Sequence, residues 1–474
     1  MRWNWSNRRS GIWRLTVLAL ALGLVMSACG DDDDSTDTTA GGEGTEETTA
    51  PAEGGEKTLN VAIVGNPQME DIASLTPELF TAETGITVEY TILEEQTLRE
   101  IVTRDVGASG QQFDVVMIGM YEAPQFGENG WLYDLDQWAA DDADYNKADI
   151  FPTVASGLST DGGYWASPFY AESSFVMYRQ DVLEAAGQTM PDAPTWEELA
   201  TIARAIDSDE MAGICLRGKP GWGDLGAVFT TVVNTFGATW WLSNDDGSIG
   251  AAQVDQPEFK EALTFYTNLI NDAGQDDASN SSYNECSTQY LDGKVAMWYD
   301  ATVAAATFEA ADSPVKDLNG YALAPTKVTD TSGWLWAWAL AIPQNAPDPD
   351  TAWEYVSWAT GPEYLVQAGE SLAGGWAAVP PGTRQSLYDN ANYQEAAAAF
   401  ADRTLSAMLA APIDNPGTTP RPGLPGVQFV GVPEFQDVGT RCTEQFSAVI
   451  AGNVSIDDAL SACQSIASEA TVDQ

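Results

Sequence analysis

The order of apolar segments is the feature that most constrains the fold of this chain. From Leu59 onward, strands and helices alternate through "LNVAIVG", "MEDIASLTPELFTAETG", "ITVEYTIL", "TLREIVTRDVGAS" and "FDVVMIG". The last of these runs is continuously apolar, which is typical of a parallel strand covered on both faces. The alternation predicts an α/β lobe in which helices flank a sheet. The length of 474 residues suits two or three domains.

Further helices are predicted downstream. "TWEELATIARAI" has the signature of a capping box, with Thr195 as the N-cap and Glu198 three positions later. "PEFKEALTFYTNLIND" has the apolar periodicity of a long amphipathic helix, and the chain ends in two helical segments. The α/β pattern therefore extends well beyond the first lobe.

The charge of the chain excludes several classes of function. There are 70 acidic and 20 basic residues and no histidine, which gives a net charge of −50. Nucleic acid is not expected as a partner, because phosphate binding needs clustered Lys and Arg. The absence of histidine removes histidine-based catalysis and histidine metal ligands. The sequence indicates neither a metal nor a cofactor, and we interpret the acidic excess as a solubilising surface.

The first 28 residues predict an export signal. An arginine-rich start precedes the run "LTVLALALGLVMSAC", whose apolar length of about 15 residues fits a signal peptide better than a spanning helix. The ending "VMSAC" resembles a bacterial lipobox, which implies cleavage before Cys29 and attachment of lipid to its sulfur. An ordinary signal peptide with an incidental cysteine is the alternative. The rest of residues 29–57 is rich in Gly, Thr and acids and predicts a disordered acidic tether.

Four cysteines remain after Cys29: Cys215, Cys286, Cys442 and Cys463. An exported protein enters an oxidising compartment, so an even number of cysteines predicts disulfides. Sequence alone allows three pairings, with free buried thiols as the alternative. We favour Cys442 with Cys463, because they lie on neighbouring helical segments, and then Cys215 with Cys286.

Several blocks together resemble a known family. The lipobox, the tether, "FDVVMIG…GWLYDL", "YRQDVLEAAG…PTWEELATIARAI", "LDGKVAMWYDAT" and the closing helical pair resemble the extracellular solute-binding proteins of ABC transporters. The similarity is to the subgroup with the architecture of maltose-binding protein, and it spans about residues 58 to 470. "GICLRGKPGWG" and "MWYDATVAA" resemble the branch that binds sorbitol and mannitol.

The resemblance implies a fold, a function and partners. It implies an α/β fold of the two-lobed type II (Venus-flytrap) periplasmic-binding-protein class, with a sugar or polyol bound in the cleft between lobes. The expected lobes are 58–168 with 327–382, and 169–326 with 383–474. A monomeric lipoprotein on the outer face of the cytoplasmic membrane would deliver its ligand to permease subunits.

Residues 213–226, "GICLRGKPGWGDLG", gather Arg217, Lys219 and Trp222 in an otherwise acidic chain. The five glycines and the proline in this segment predict a loop that presents side chains. Arg217 can offer two parallel donors to hydroxyls, and the Trp222 ring can cover an apolar sugar face. Asp224 could accept from hydroxyls or pair with Lys219. A surface loop pinned by an Arg–Asp bridge is the alternative.

Other candidate ligand-binding residues follow strands or lie on turns. "MWYDAT" places Trp298 and Asp300 where a strand enters a helix, and Asp300 could instead cap that helix. In "SGWLWAWALAIP", Trp334, Trp336 and Trp338 share one strand face. We expect Trp334 in the cleft and the other two in the core. The remaining candidates, chosen by strand-end and family position, are Asn66, Gln68, Tyr121, Glu122, Tyr170, Glu172 and Trp376.

Two other functions fit the same residue types. A secreted glycosidase also combines paired carboxylates with aromatic rings. The chain has no GxSxG, HExxH or P-loop motif, and the resemblance covers most of its length, so a binding protein is favoured over an enzyme. A binder of oligosaccharides, rather than of monomeric polyols, stays open within the same class.

Overall fold

A computed structural model describes residues 57–471 of the chain. The predicted signal peptide, Cys29 and the tether up to residue 56 lie outside the described residues. Within the described range, no helix is both long enough and apolar enough to cross a membrane.

Twelve strands form two principal sheets and two small hairpins in the described part of the chain. The strands are β1 (Thr58–Val64), β2 (Thr87–Leu93), β3 (Val115–Gly119), β4 (Ser159–Thr160), β5 (Gly163–Tyr164), β6 (Ser167–Glu172), β7 (Ser174–Arg179), β8 (Trp241–Ser243), β9 (Ile249–Ala252), β10 (Met297–Ala301), β11 (Asn319–Leu323) and β12 (Trp336–Ala341).

The first sheet has five strands in the order β2-β1-β3-β12-β6. β1 pairs in parallel with β2 and β3, as the alternation of strands and helices predicts. β12 inserts antiparallel between β3 and β6. β3, β6 and β12 are buried along their whole length, because helices and the rest of the protein cover both faces of this sheet.

The second sheet has three antiparallel strands in the order β10-β7-β11. A single residue, Ser173, separates β6 of the first sheet from β7 of the second. The Ser173 carbonyl accepts from the Thr302 amide at 2.8 Å, and the Ser173 amide donates to the Thr302 hydroxyl at 3.1 Å. We use first lobe and second lobe for the parts built on these two sheets, and the exact lobe boundaries stay a prediction.

The helices flank both sheets. They are α1 (Pro67–Thr76), α2 (Ala82–Thr84), α3 (Glu95–Gly107), α4 (Glu122–Glu128), α5 (Asp136–Ala139), α6 (Pro152–Gly157), α7 (Gln180–Ala185), α8 (Trp196–Ile206), α9 (Ala227–Thr235), α10 (Pro257–Ala273), α11 (Tyr283–Leu291), α12 (Ala304–Phe308), α13 (Pro349–Ala359), α14 (Pro362–Ser371), α15 (Gln385–Asp389), α16 (Ala391–Ala396), α17 (Ala401–Leu409), α18 (Phe435–Ile450) and α19 (Ile456–Glu469).

Local sequence signals account for where several helices begin. The capping box of α8 is confirmed: the Glu198 amide donates to the Thr195 hydroxyl at 3.2 Å, and the Thr195 amide donates to the Glu198 carboxylate at 2.8 Å. A second capping box, between Ser282 and Glu285, starts α11. This second box positions Tyr283, the first residue of α11, at the site described below.

Two disulfides connect separate segments of the second lobe. Cys215 is bonded to Cys286, which ties the segment before Arg217 to α11. Cys442 is bonded to Cys463, which joins α18 to α19. Both favoured pairings are thereby confirmed.

Candidate functional site

A cavity lies between the two sheets, with about 430 Å³ of empty space that is partly open to solvent. Residues of β6, β12 and α3 line it from the first lobe, and residues of the 217–227 segment, β10 and α11 line it from the second. The complete lining is Asn66, Glu95, Arg99, Tyr170, Glu172, Arg217, Trp222, Gly223, Ala227, Tyr283, Ala301, Trp334, Trp336, Trp338 and Gln428. Both aromatic rings and charged groups line this cavity, which we call the chamber.

Half of the ligand-binding residues predicted from the sequence line the chamber. These six residues are Asn66, Tyr170, Glu172, Arg217, Trp222 and Trp334. Asn66 directly precedes α1, and its side-chain Nδ2 donates to the Tyr170 hydroxyl at 3.3 Å. The ends of strands β1 and β6 therefore meet at one wall of the chamber.

The other six predicted residues do not line the chamber, and three of them lie directly behind it. Asp300 accepts hydrogen bonds from Arg217, and Glu122 pairs with Arg99. The Trp298 indole N–H donates to Asp300 Oδ2 at 3.1 Å. Asp300 lies inside β10, so it is a partner of the arginine rather than a helix N-cap.

Tyr121, Gln68 and Trp376 lie farther from the chamber. The Tyr121 hydroxyl donates to the Val432 carbonyl at 2.9 Å, and its ring packs 4.6 Å from that of Trp222. Gln68 is buried on α1. Trp376 is half-buried in a single helical turn, Gly375–Ala378, where it packs against Gly369 of α14. A Cβ atom at position 369 would collide with the Trp376 ring, so this glycine allows the close packing.

Arg217 is a buried cation held by one carboxylate. Its Nε and Nη2 donate to the two oxygens of Asp300 at 2.8 and 2.6 Å, and Nη1 donates to the Gly223 carbonyl at 2.9 Å. Only about 5% of Arg217 is exposed, so the loop is not the surface bridge considered as an alternative. The planar fork of arginine matches a carboxylate in this two-bond geometry, which a lysine cannot reproduce.

Asp224 and Lys219 take partners other than each other. Asp224 accepts from the Ser282 hydroxyl, and Lys219 donates to Glu94 of the first lobe at 2.6 Å. The Asn284 side chain donates to the Gly65 carbonyl at 3.0 Å. The last two contacts join the lobes on one side of the chamber, so the structure is that of a closed form.

Arg99 is a second buried cation and was not predicted from the sequence. It donates to Glu95 at 2.7 Å through Nη2 and to Glu122 through Nη1. Its guanidinium carbon lies 4.2 Å from the ring centre of Trp222 and 4.6 Å from that of Trp338. A desolvated cation–π contact of this kind adds to the ion pairs, so Arg99 connects α3 to the opposing loop.

Glycine allows the loop to approach α3 this closely. A Cβ atom at position 223 would stand 2.2 Å from Glu95 Oε1 and 2.8 Å from Arg99 Nε. Gly221 has φ of 140°, a backbone conformation that other residues rarely adopt. The glycines of "GICLRGKPGWG" therefore serve close packing between the lobes as well as loop geometry.

All three tryptophans of "WLWAW" line the chamber, whereas the sequence placed only Trp334 there. Period-two alternation put Trp334, Trp336 and Trp338 on one strand face, and the chamber runs along that face. The Trp336 ring lies 5.6 Å from that of Trp338 and 6.2 Å from that of Trp222. Trp336 and Trp338 are buried in the core, as expected, and they also line the chamber.

Several polar side chains of the chamber were missed by sequence reasoning. Glu95 and Arg99 lie four residues apart on α3 and therefore share one face of that helix. Tyr283 follows the Ser282 cap, and Gln428 comes from the loop between α17 and α18. The spacing of Glu95 and Arg99 was the one available signal, and nothing in the sequence marks Gln428.

Five buried polar atoms of the chamber lining have no hydrogen-bond partner within the described chain. They are Glu172 Oε2, Trp222 Nε1, Tyr283 OH, Trp334 Nε1 and Gln428 Oε1. Leaving such an atom unpaired typically costs about 1–3 kcal/mol. A cluster of five is typical of a binding site, because a ligand that pairs with them recovers this free energy.

Burial perturbs two carboxyl groups at the chamber. Burial first, and then the charge of Asp300, raises the pKa of Glu172 well above its usual value. Burial first, and then the charge of Glu95, raises the pKa of Asp224 to about 7. In the closed form, the chamber therefore favours the protonated state of these two acids.

The geometry of the fold and the chamber indicates a class of protein. Two α/β lobes, connected through adjacent strands, enclose a buried chamber lined by aromatic rings and by paired and unpaired polar groups. This is the architecture of a two-lobed binding protein that closes around a small polar ligand.

Comparison with known proteins gives the family. Residues 66–366 match the bacterial extracellular solute-binding proteins. The chain is 39% identical over 420 residues to the mannitol-binding protein of Pseudomonas aeruginosa, which covers 86% of this chain and 92% of that protein. It is 27% identical over 354 residues to the erythritol/L-threitol-binding protein of Mycolicibacterium smegmatis, with coverages of 70% and 71%. The chain belongs to the bacterial extracellular solute-binding proteins, which bind solutes and are not enzymes.

A solved structure supports the same fold. The ABC transporter solute-binding protein of Agrobacterium vitis, solved with bound D-mannitol, is 43% identical and superimposes with a TM-score of 0.83. The match covers 88% of this chain and 99% of that one. The two-lobed fold expected from the sequence is thereby confirmed.

We predict that Asp224→Asn makes the protein less sensitive to alkaline pH. Unfolded Asp224 ionises near 3.8 and folded Asp224 near 7, so the native state holds this proton more tightly. The wild type therefore loses stability as pH rises from 5 to 8, and the variant lacks this loss. Relative to wild type, the variant should gain roughly 2–3 kcal/mol in free energy of unfolding between these pH values. Urea unfolding at pH 5 and pH 8 measures the free energy of unfolding of both proteins. The same difference between variant and wild type at both pH values would contradict the prediction.

Proposed function

We propose that this protein captures a neutral polyol of the hexitol class in the chamber and delivers it to an ABC permease. Two relatives support this ligand: the mannitol-binding protein of P. aeruginosa and the A. vitis protein solved with D-mannitol. Both are more than 35% identical to this chain over most of its length.

The observation that carries the proposal is the set of unpartnered polar atoms. The indole N–H groups of Trp222 and Trp334 are donors and Gln428 Oε1 is an acceptor. The Tyr283 hydroxyl and the protonated Glu172 carboxyl can act as either. A hexitol carries a hydroxyl on every carbon, and each hydroxyl both donates and accepts. Such a ligand can pair with all five atoms, whereas an apolar ligand would leave them unpaired.

The aromatic rings and arginines complete the proposed site. The rings of Trp222, Trp336 and Trp338 pack against the C–H groups of the polyol. Arg217 uses three of its five N–H groups on Asp300 and Gly223, which leaves two for hydroxyls. Asn66 and Tyr170 contribute at the wall formed by the first lobe. Asp300, Glu122 and Trp298 act behind the chamber by orienting the two arginines.

A monomeric polyol fits the enclosed chamber better than an oligosaccharide does. Contacts between the lobes, Lys219 with Glu94 and Asn284 with Gly65, bound one side of the chamber in the closed form. A longer sugar would have to separate these contacts, so the oligosaccharide alternative requires a more open form.

We also propose that the protein is an exported lipoprotein. Its family is extracellular, and the arginine-rich, apolar start of the chain ends in the lipobox-like "VMSAC". Lipid on Cys29 would anchor the chain to the outer face of the cytoplasmic membrane. The acidic tether would let the lobes reach the permease.

We predict that hexitols bind and that Trp222→Phe weakens their binding. Phe keeps the ring but loses the indole N–H, and one neutral hydrogen bond is worth about 0.5–1.5 kcal/mol, or roughly two- to tenfold in affinity. Trp222→Ala should weaken binding further through the lost ring contact. Calorimetric titration with D-mannitol, D-sorbitol, ribitol and maltose measures these changes. Trp376→Phe, outside the chamber, is the matched control and should alter affinity by less than about twofold. Maltose binding without hexitol binding would support the oligosaccharide alternative instead.

We predict that Cys29→Ser releases the protein from the membrane fraction without altering its affinity for hexitols. The tether of about 28 residues has the composition of a flexible chain, which does not transmit structural change to the chamber. Fractionation of cells that express each form, followed by titration of the soluble variant, tests both parts. Retention of the variant in the membrane fraction would contradict the lipoprotein assignment.

A further inference from the structure

The chamber contains more carboxyl groups than cations. Arg99 and Arg217 are the cations of its lining in the described chain. Four carboxyl groups line it or bond directly to these arginines: Glu95, Glu122, Glu172 and Asp300. The number of negative groups thus exceeds the number of positive groups by two when all of them are ionised.

Both arginines are already neutralised by the protein. Arg99 pairs with Glu95 and Glu122, and Arg217 makes a two-bond pair with Asp300. A negatively charged ligand would therefore meet no unpaired cation in the chamber. It would lose its hydration without gaining an ionic partner, which is strongly unfavourable when water is excluded.

Glu172 is the carboxyl group that is left without a cation. Within residues 57–471, no Lys or Arg lies within ion-pair distance of it; the Trp334 indole approaches its carboxyl group, but Oε2 has no hydrogen bond of good geometry. It is about 6% exposed and lies at the end of β6, where it faces the chamber. Unlike Glu95, Glu122 and Asp300, it is free to take a positive partner from the ligand.

We infer that the chamber also binds protonated amino polyols, with the ammonium group at Glu172, and that it excludes polyol carboxylates. This inference rests on the proposed function, because it assumes that the polyol chain occupies the chamber. An ammonium group is similar in size to a hydroxyl and offers three donors. It would supply the cation that Glu172 lacks, and a charge-assisted hydrogen bond is stronger than a neutral one.

The charged and titratable neighbours of Glu172 determine how its ligands respond to pH. Asp300, Glu95 and Arg217 act on it electrostatically, and the hydroxyls of Tyr170 and Tyr283 lie near it. Burial first, and then Asp300, raises the pKa of Glu172 well above its usual value. Closure around a neutral hexitol therefore takes up a proton at Glu172, whereas closure around an ammonium group does not.

The two ligand types should consequently diverge as pH rises. A complex that needs a bound proton loses up to tenfold in affinity for each pH unit, until the pH reaches the pKa of the closed form. The ammonium complex avoids this loss, and an aliphatic ammonium stays charged well above pH 8, because it titrates at about 10. Protonation of Asp224 affects the hexitol complex and the ammonium complex equally. Its effect therefore cancels when the affinity for one ligand is divided by the affinity for the other.

The test is calorimetric titration with D-mannitol, 1-amino-1-deoxy-D-mannitol and D-mannonate at pH 6, 7 and 8. The two ends of D-mannitol are equivalent by symmetry, so a single amino derivative can present its nitrogen at either end of the chamber. We expect the affinity of the amino derivative, divided by that of D-mannitol, to rise by up to tenfold per pH unit. D-mannonate should bind at least about a hundredfold more weakly than D-mannitol.

Two variants separate charge from packing. Glu172→Gln keeps the shape and removes the charge, so it should lower the affinity ratio at pH 8 at least about tenfold and make it independent of pH. Glu309→Gln is the matched control, because Glu309 is equally buried but pairs with Asn319 and Tyr321 outside the chamber. The control should leave the ratio and its pH dependence unchanged.

The outcomes distinguish this inference from the proposed function. The inference is overturned if D-mannitol binds but its amino derivative binds more than tenfold more weakly at pH 8, or if D-mannonate binds as tightly as D-mannitol. Binding of the amino derivative without D-mannitol would support the role of Glu172 and overturn the neutral-hexitol proposal. Failure of all three ligands to bind would overturn both.

Discussion

The contact between Arg99 and Trp222 is the interaction on which the rest of the site depends. The guanidinium comes from α3 of the first lobe, the indole comes from the loop before α9 of the second, and they meet at 4.2 Å. A cation this deeply buried requires compensation, which Glu95 and Glu122 supply. Trp222 can reach Arg99 only because position 223 has no Cβ atom. This one contact therefore brings the two lobes together, requires the two glutamates as partners of Arg99, and requires glycine at position 223.

Under the proposed function, the chamber selects its ligand because most of its charges are already paired. The two arginines orient carboxylates and leave the chamber with unpaired neutral donors and acceptors, to which Glu172 adds one unpaired carboxyl group. An enclosed site of this kind favours ligands that both donate and accept at closely spaced positions. The tryptophan rings add apolar faces that pack against C–H groups. These two properties describe a polyol better than a planar or anionic solute.

The sequence predicted the parts of the structure that depend on local patterns. Strands β1, β2 and β3, the capping box at Thr195 and both disulfides were all accessible, because each rests on periodicity, caps or compartment chemistry. The resemblance of short blocks to a family supplied the two-lobed fold. Composition and spacing alone would not have shown that β12 inserts between β3 and β6.

The parts that the sequence did not predict depend on distant contacts. Asp300 and Arg217 were both candidates for contact with ligand, but they lie 83 residues apart and bind each other. In the sequence, nothing distinguishes Arg99 from other charged residues on a helix. It becomes a residue of the chamber because the distant Trp222 packs over its guanidinium. Strand periodicity grouped Trp334, Trp336 and Trp338 correctly on one face, yet it could not show how far the chamber extends along that face. Gln428 lies in a loop, where neither periodicity nor capping gives a signal.

The most direct test of this account is a crystal structure of the protein with D-mannitol. We predict one hexitol between the lobes, with its hydroxyls within hydrogen-bond distance of Glu172 Oε2, Gln428 Oε1, Tyr283 OH and the indole N–H groups of Trp222 and Trp334. The Arg217–Asp300 and Arg99–Glu122 pairs should remain intact in that complex. A hexitol bound elsewhere, or one in the chamber that left these atoms unpaired, would contradict the account.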